Sequence, residues 1–312
     1  MSETQANTDQ STDKTSTDTT DVDPPTQSKT RVAITGASGR MGTELRSLAN
    51  ERSDIGFTLA ITRTPDAIPD PSTESVDAPD ATVQITGEIS ETALKNAFET
   101  HSIDVLIDFT APDASIRYLD AVDMADRDIA AVIGTTGYDD AQHSMISSLS
   151  DTTAILKASN FSRGIAALRR AVTEAVSTLP SYDIEVTETH HNGKRDAPSG
   201  TAVTLLDDID TARDETESAT RVHGRVGDTP RSESEIGVHA RRAGDIAGEH
   251  EVLMAGGDEV IELTHRAGSR GIFAAGALDA ATWIAGRPPS QYDFDAVLDA
   301  GANSDEYTED SS

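Results

Sequence analysis

Arg31-Val32-Ala33-Ile34-Thr35-Gly36-Ala37-Ser38-Gly39-Arg40-Met41-Gly42 is a short apolar run that breaks into three evenly spaced glycines. Behind it, Leu45, Leu48 and Ala49 recur at helical spacing. Strand, glycine turn and helix together aim free backbone N–H groups and the positive end of a helix dipole at one point, where an anion can sit. The same order seats a dinucleotide pyrophosphate in doubly wound folds. The spacing here, G-x-x-G-x-x-G, is a variant of the usual fingerprint, and a tight strand-to-helix turn without a ligand would share it.

Toward the C-terminus the alternation continues. Phe57–Ile61 reads as a second strand, residues 65–82 as a surface loop rich in Pro, Asp, Ser and Thr, and Ala93–Phe98 as helical. Asp104–Phe109 is a continuous apolar strand of the buried parallel type. A helix near Ala114–Met124 and a buried strand over Ile129–Ile133 follow, the latter ending in Gly134-Thr135-Thr136-Gly137. Ala154-Ile155-Leu156 is a further strand, running into Ala158-Ser159-Asn160-Phe161. Strands alternating with helices predict an α/β domain built on a Rossmann-like, doubly wound parallel sheet. Ligands of such sheets bind beyond the carboxyl ends of the strands, where Gly36, Arg63, Thr110, Gly134 and Asn160 fall.

The second half changes character. Asp183–Val186, Ser234–Val238, Glu249–Met254 and Val260–Leu263 alternate as strands of an antiparallel or mixed sheet, with a hairpin turn at Ala255-Gly256-Gly257-Asp258. This predicts a second, α+β domain, followed by a helix over Phe273–Ile284.

The densest chemistry lies at His190-His191-Asn192-Gly193-Lys194-Arg195-Asp196-Ala197-Pro198-Ser199-Gly200-Thr201. The histidines close a strand. Thr201 stands in the first turn of a helix marked by Ala202, Leu205, Leu206 and Ile209. A helix start and the Lys194 charge suit a small di-acid, and histidine is a proton donor near neutral pH. Zinc would need a third ligand at metal-like spacing, so no metal is expected. Ser199 also reads as a plain helix cap.

Composition excludes other classes. The 312 residues carry a net charge of −30, and the first 28 hold only six acids and one base, so −25 belongs to the body. Such a body repels nucleic acid and anionic membranes and resembles proteins of high-salt cytoplasms. Lysine occurs at just five positions, which makes Lys194 conspicuous. There is no cysteine, and no apolar run approaches the roughly 20 residues of a membrane span. Neither a basic nor an apolar leader is visible, so a cytoplasmic location is expected. Residues 1–28 contain no Leu, Ile, Phe, Tyr or Trp and are expected to be disordered, and 303–312 to be frayed.

Taken in order, several motifs resemble one family. They are Gly36–Gly42, Asp108-Phe109-Thr110, Gly134–Gly137, Asn160-Phe161-Ser162, His190-His191-x-x-Lys194, Asp196–Thr201, Arg242–Ile246, Gly248-Glu249-His250 and Thr264-His265-x-x-x-x-Arg270. The chain resembles the 4-hydroxy-tetrahydrodipicolinate reductase (dihydrodipicolinate reductase) family over roughly residues 30–300. The resemblance implies a homotetramer. It divides the chain into a dinucleotide-binding domain (29–157), a substrate-binding and tetramerisation domain (158–269) and a segment returning to the first domain (270–302). The two crossings, near Ala158 and Arg270, would hinge the domains around both ligands.

The resemblance also implies residue roles. Gly36, Ala37, Ser38, Gly39, Arg40 and Met41 would bind the cofactor pyrophosphate; Gly134, Thr135, Thr136, Ala158, Ser159, Asn160 and Phe161 would flank the nicotinamide. The acid that usually holds a ribose diol is replaced by Thr62, and Arg63 suits a 2′-phosphate, so NADPH is expected over NADH. Phe109 and Thr110 would wall the cleft, with core packing an equal alternative for Phe109. His190 and Lys194 would be catalytic, and His191, Gly200 and Thr201 would hold a dicarboxylate. His223, His239, His250 and His265 are expected to be structural, and Arg270 is the weakest candidate. Two competing readings are another two-domain NAD(P)-dependent dehydrogenase and a nucleotide-sensing protein without catalysis.

Overall fold

The computed structural model describes residues 28–63, 83–85, 90–213, 219–232 and 235–304. The chain folds around two sheets. In the first, β1 (Thr30–Thr35), β2 (Ile55–Ile61), β3 (Val83–Ile85), β4 (Val105–Asp108), β5 (Ala130–Ile133), β6 (Ala154–Lys157) and β12 (Ser290–Tyr292) pair in the order β12-β6-β5-β4-β1-β2-β3. Every pairing is parallel. The order reverses between β1 and β4, and the opening there receives the loops after both strands.

Side-chain alternation explains the two layers. Val32, Ile34, Val105 and Ile107 face α1 (Arg40–Glu51) and α7 (Gly271–Ile284). Ala33 and Leu106 point the other way, toward α2 (Glu91–Thr100) and α3 (Pro112–Asp123). With both faces buried, the strands need apolar residues at every position, as their sequence shows. α4 (Asp140–Leu149) joins the second layer through Ile146. α7 returns from the second half of the chain to this sheet; its Ala274, Ala277, Ala280 and Ala281 are small enough for close helix-on-sheet packing.

The second sheet orders β11-β10-β7-β9-β8, from β7 (Asp183–His190), β8 (Thr220–His223), β9 (Glu235–Arg242), β10 (Glu249–Gly256) and β11 (Glu259–Arg266). It is mixed: β10 runs antiparallel to β7 and β11, while β9 runs parallel to β7 and β8. α5 (Arg163–Thr178) and α6 (Gly200–Arg213) cover one face, packing Ile165, Val172, Leu205 and Ile209 on Ile184, Val186, Val252 and Met254. Gly257 (φ +57°) and Asp258 (φ +72°) make the β10–β11 turn, the left-handed pair that a two-residue hairpin needs.

Several strands exceed their predicted length, β7 and β9 by four residues each at the C-terminal end. β3, α4, α5, β8, β12 and α8 (Phe294–Ser304) were not anticipated. For α5 the signal was present in Ser162, whose hydroxyl caps Ile165 N–H, followed by apolar residues at helical spacing. Asn303 and Ser304, the first residues of the tail expected to fray, are the last two of α8. The expectations for residues 1–27, for the loop over 65–82 and for 305–312 lie outside the described residues.

Candidate active site

The glycine turn is built as a backbone cradle. Gly36 adopts φ +63°, and a side chain on it would meet Thr110 Cγ2 at 2.9 Å. A side chain on Gly42 would lie 2.3 Å from the Gly36 carbonyl oxygen, so α1 sits directly on the turn. Gly39 caps α1 with no side-chain hydrogen bond. The first N–H groups of the helix therefore face the cleft with no internal partner. Ala37 is fully buried, its N–H donating to the Ile61 carbonyl at 3.1 Å and its carbonyl accepting from Arg46 Nε at 2.9 Å, and Met41 packs on the core. Arg40 is exposed on the first turn.

The cleft beside this turn holds about 870 Å³ and is lined by Gly36, Ser38, Thr62, Arg63, Phe109, Thr110 and Arg117, among others. Thr62 takes the position of the missing acid and hydrogen-bonds Ser38 Oγ at 2.6 Å. Arg63 and Arg117 are both exposed at the edge of the cleft; Arg117 was not picked out from sequence. Below the cleft, Asp108 is 2 % exposed. Its carboxylate accepts hydrogen bonds from Thr35 (2.5 Å), Thr110 (2.7 Å) and Thr135 (2.6 Å). One side chain thus ties together the loops after β1, β4 and β5. Gly134 lies against the Phe109 ring, whose other neighbour is Phe161 at 5.5 Å between centroids. Phe161 is 1 % exposed and packs in the core, as does part of Phe109. Thr136 is exposed at the same loop.

A separate, smaller hollow of about 250 Å³ is lined by Lys157, Ala158, Ser159, Asn160 and Thr201 together with Asp293 and Asp295, among others. Asn160 Nδ2 donates to Thr201 Oγ1 at 2.9 Å, joining the strand end of the first sheet to the start of α6. The Ala158–Phe161 and His190–Thr201 motifs meet here, through two side chains 41 residues apart.

The second-sheet half of the site follows from strand register. On the buried face of β7, Ile184 and Val186 lie opposite Met254 and Val252 of β10. The next pair on the same face is Glu188 opposite His250, and the last is His190 beside Arg242 of β9. The apolar face thus turns polar where it reaches the start of α6. Glu188 is 1 % exposed. It accepts from Arg242 Nη1 (2.9 Å) and Nη2 (2.7 Å) and from Ser199 N–H (3.2 Å), and its Oε2 lies within hydrogen-bond reach of His190 Nδ1. Burial pushes the Glu188 carboxyl up, but the Arg242 and His190 hydrogen bonds outweigh it, and the group lies below the usual carboxylate range.

Burial, supported by the Lys194 and Arg242 charges, lowers His190 below its ordinary value against the pull of Glu188. His250, 4 % exposed, is pushed down to about 4, first by burial and then by His190. Its Nε2 lies 3.1 Å from Ser199 Oγ, and its ring meets His190 edge-on at 5.2 Å. Lys194 pairs with Asp196 at 2.9 Å, so the ammonium is held at the mouth of the site rather than free. His191 sits half-buried in the turn that Lys194 N–H closes onto its carbonyl. Ser199 Oγ caps Ala202 N–H, which leaves the first N–H groups of α6, from Gly200 and Thr201, for an anion.

His250, expected to be structural, lies against His190 and Ser199, and Glu188 was not picked out from sequence. The signal for Glu188 was an acid at the parity of Ile184 and Val186, two residues before His190.

Residues 30–161 match the family described as dihydrodipicolinate reductase, N-terminus, and residues 164–298 match dihydrodipicolinate reductase, C-terminus. The chain belongs to the dihydrodipicolinate reductase family. It is 48 % identical over 267 residues to the 4-hydroxy-tetrahydrodipicolinate reductase of Natronomonas pharaonis, covering 86 % of this chain and 99 % of that one. The Haloarcula marismortui reductase is 42 % identical, over 87 % of this chain and all of the relative. Among solved structures, a dipicolinate-bound dihydrodipicolinate reductase from Paenisporosarcina sp. TG-14 superposes with a TM-score of 0.66 at 24 % identity, over 85 % of this chain and 97 % of that one. That likeness bears on the fold.

Proposed function

We propose that this chain reduces 4-hydroxy-tetrahydrodipicolinate to tetrahydrodipicolinate with a nicotinamide cofactor, in the diaminopimelate route to lysine. The observation that carries the reading is the Asn160–Thr201 hydrogen bond, which joins the sheet bearing the glycine turn to the start of α6, itself tied through Glu188 to His190, in a chain whose family matches run from residue 30 to 298.

A nicotinamide dinucleotide fits the residues present. Gly36 and Gly39 line the cleft without side chains, Gly42 lets α1 sit directly on the turn, and the start of α1 is uncapped. Gly36–Met41 would hold the pyrophosphate by backbone N–H groups, with Arg40 adding charge. Arg63 would meet a 2′-phosphate, and Thr62 offers neither the acceptor nor the repulsion of a carboxylate, so NADPH is preferred over NADH. Gly134, Thr135, Thr136 and Ala158–Phe161 would flank the nicotinamide. The cofactor, when bound, supplies the hydride.

The chain supplies the rest. Gly200 and Thr201 present N–H and hydroxyl donors to one substrate carboxylate, with His191 as a further contact. Lys194 and His190 handle the proton that must reach the carbon next to the hydride acceptor. Closure of the 158–269 domain on the 29–157 domain, with 270–302 packed back on the latter, excludes water. The working unit is a cytoplasmic homotetramer joined through the mixed sheets. It takes a small dicarboxylate at the local Lys194 charge and α6 start, while the net charge of −30 disfavours nucleic acid. Among the described residues no helix is long and apolar enough to cross a membrane.

The test follows NADPH absorbance with freshly condensed substrate. Wild type should turn over, and Lys194→Ala should lose about 10²-fold in kcat, the scale of a positioned proton donor, with NADPH affinity near wild type. Absence of turnover in wild type would favour the nucleotide-sensing reading.

A further inference from the structure

We propose that Glu188 is a positioning residue that fixes His190 as the Nδ1–H tautomer and leaves Nε2 as the reacting nitrogen, a role that presupposes His190 in the proton transfer above. Around the Glu188 carboxylate, the Arg242 guanidinium and the Ser199 N–H can only donate. A buried carboxylate met by three such donors is an anion, and an anionic carboxylate only accepts. The nitrogen of His190 that faces it must therefore carry a hydrogen. That assigns Nδ1–H in the neutral ring and puts the lone pair on Nε2.

On the other side of the ring Nε2 faces Gly248, where a side chain would stand 3.1 Å away, so glycine keeps a side chain off the reacting nitrogen. Glu188 is also anchored where a positioning group has to be. Arg242, which grips it from β9, also donates to the Asp196 carbonyl at 2.6 Å. Ser199 N–H ties it to the start of α6. The imidazole, the Lys194–Asp196 turn and the Gly200–Thr201 anion site are thereby referred to one buried side chain.

The tautomer has a chemical consequence. The groups facing His190 are Glu188 on its own strand, Lys194 and Asp196 on the following loop, Arg242 on β9 and His250 on β10. Near neutral pH the ring is neutral, so Nε2 takes up a proton before it delivers one. Glu188 supports the imidazolium that forms. Removing its charge should weaken proton uptake and move the alkaline limb of the kcat profile to lower pH.

Glu188→Gln keeps the size of the side chain and can turn its amide N–H₂ toward Nδ1, favouring the opposite tautomer. The expected result is a kcat lower by about 10²-fold, the upper range for removing a group that orients a functional histidine. The alkaline limb should move down while the NADPH dissociation constant stays within about twofold. A kcat within threefold of wild type, or a loss that leaves the pH limb in place, would overturn the proposal. If Glu188→Gln does not fold, ¹⁵N-histidine NMR of the wild-type protein decides, with His190 assigned by difference against His190→Asn. A protonated Nδ1 and an unprotonated Nε2 at neutral pH support the role of Glu188, and the reverse pattern refutes it. Full turnover by His190→Asn would instead remove His190 from the reaction, an outcome the NMR readout separates from the tautomer.

Discussion

Gly42→Ala tests the cofactor cradle at the point where packing leaves least room. The added Cβ would lie 2.3 Å from the Gly36 carbonyl oxygen, 2.6 Å from Ala37 Cα and 2.8 Å from Ala37 C. All three are backbone atoms, and real Cβ atoms do not approach closer than 3.0 Å. Helix α1 and the turn must therefore separate by roughly 0.7 Å, the gap between 2.3 and 3.0 Å. Overpacking of this kind costs about 1–3 kcal/mol. At roughly 2–4 °C per kcal/mol for a domain of this size, the melting temperature should fall by several degrees. The same movement misaims the N–H groups of the turn, and losing one charge-assisted hydrogen bond to a pyrophosphate is worth about 1.5–3 kcal/mol, or roughly one to two decades of affinity. Thermal melts and titrations of NADPH fluorescence, in one buffer at one salt concentration, would read both effects. A variant within 1 °C and twofold of wild type would refute the reasoning, because it would mean that the turn and α1 yield freely.

Arg63→Ala should weaken NADPH by about one to two decades, the worth of a charged hydrogen bond on a partly exposed phosphate, while barely affecting NADH; equal losses would reduce Arg63 to a loop support. His250 is held near 4 against an ordinary 6.5. The unfolded chain binds this proton more tightly than the folded one, so stability should fall as pH drops from 6.5 toward 4 and level off below. The shift is worth roughly 3 kcal/mol. Denaturant titrations of wild type and His250→Gln across that window should show a flatter profile in the variant, and parallel profiles would contradict the assignment. With a net charge of −30, the protein should lose melting temperature or subunit association on dialysis from molar salt to about 0.01 M, where the screening length grows from roughly 3 to 30 Å; a melting temperature independent of salt would count against this.

The parallel sheet was legible because its strands are buried on both faces. Val32–Thr35, Val105–Asp108 and Ala130–Ile133 are apolar runs with turn residues at each end, a pattern fixed locally by burial. The glycine turn and the start of α6 were legible for a similar reason: Gly36, Gly39, Ser199 and Gly200 are chosen by backbone conformation and capping, which act within a few residues. The sequence therefore determined the first sheet, the cradle, the His190–Thr201 run and the family they resemble. It also held the parity signal for Glu188, although an acid between Thr187 and Thr189 reads first as a solvated strand face.

What required the tertiary structure is everything set by register between distant strands. Glu188 meets His250 because β10 pairs with β7 in one particular register, and Arg242 reaches both Glu188 and the Asp196 carbonyl because β9 runs parallel beside β7. A slip of one residue in either pairing would send these side chains to the opposite face. Asn160 touches Thr201 only because the chain leaves β6 at the point where α6 begins its first turn. Local spacing carries no information about such meetings; they are fixed by the packing of α5 and α6 on one face of the mixed sheet and by the return of α7 to the other sheet.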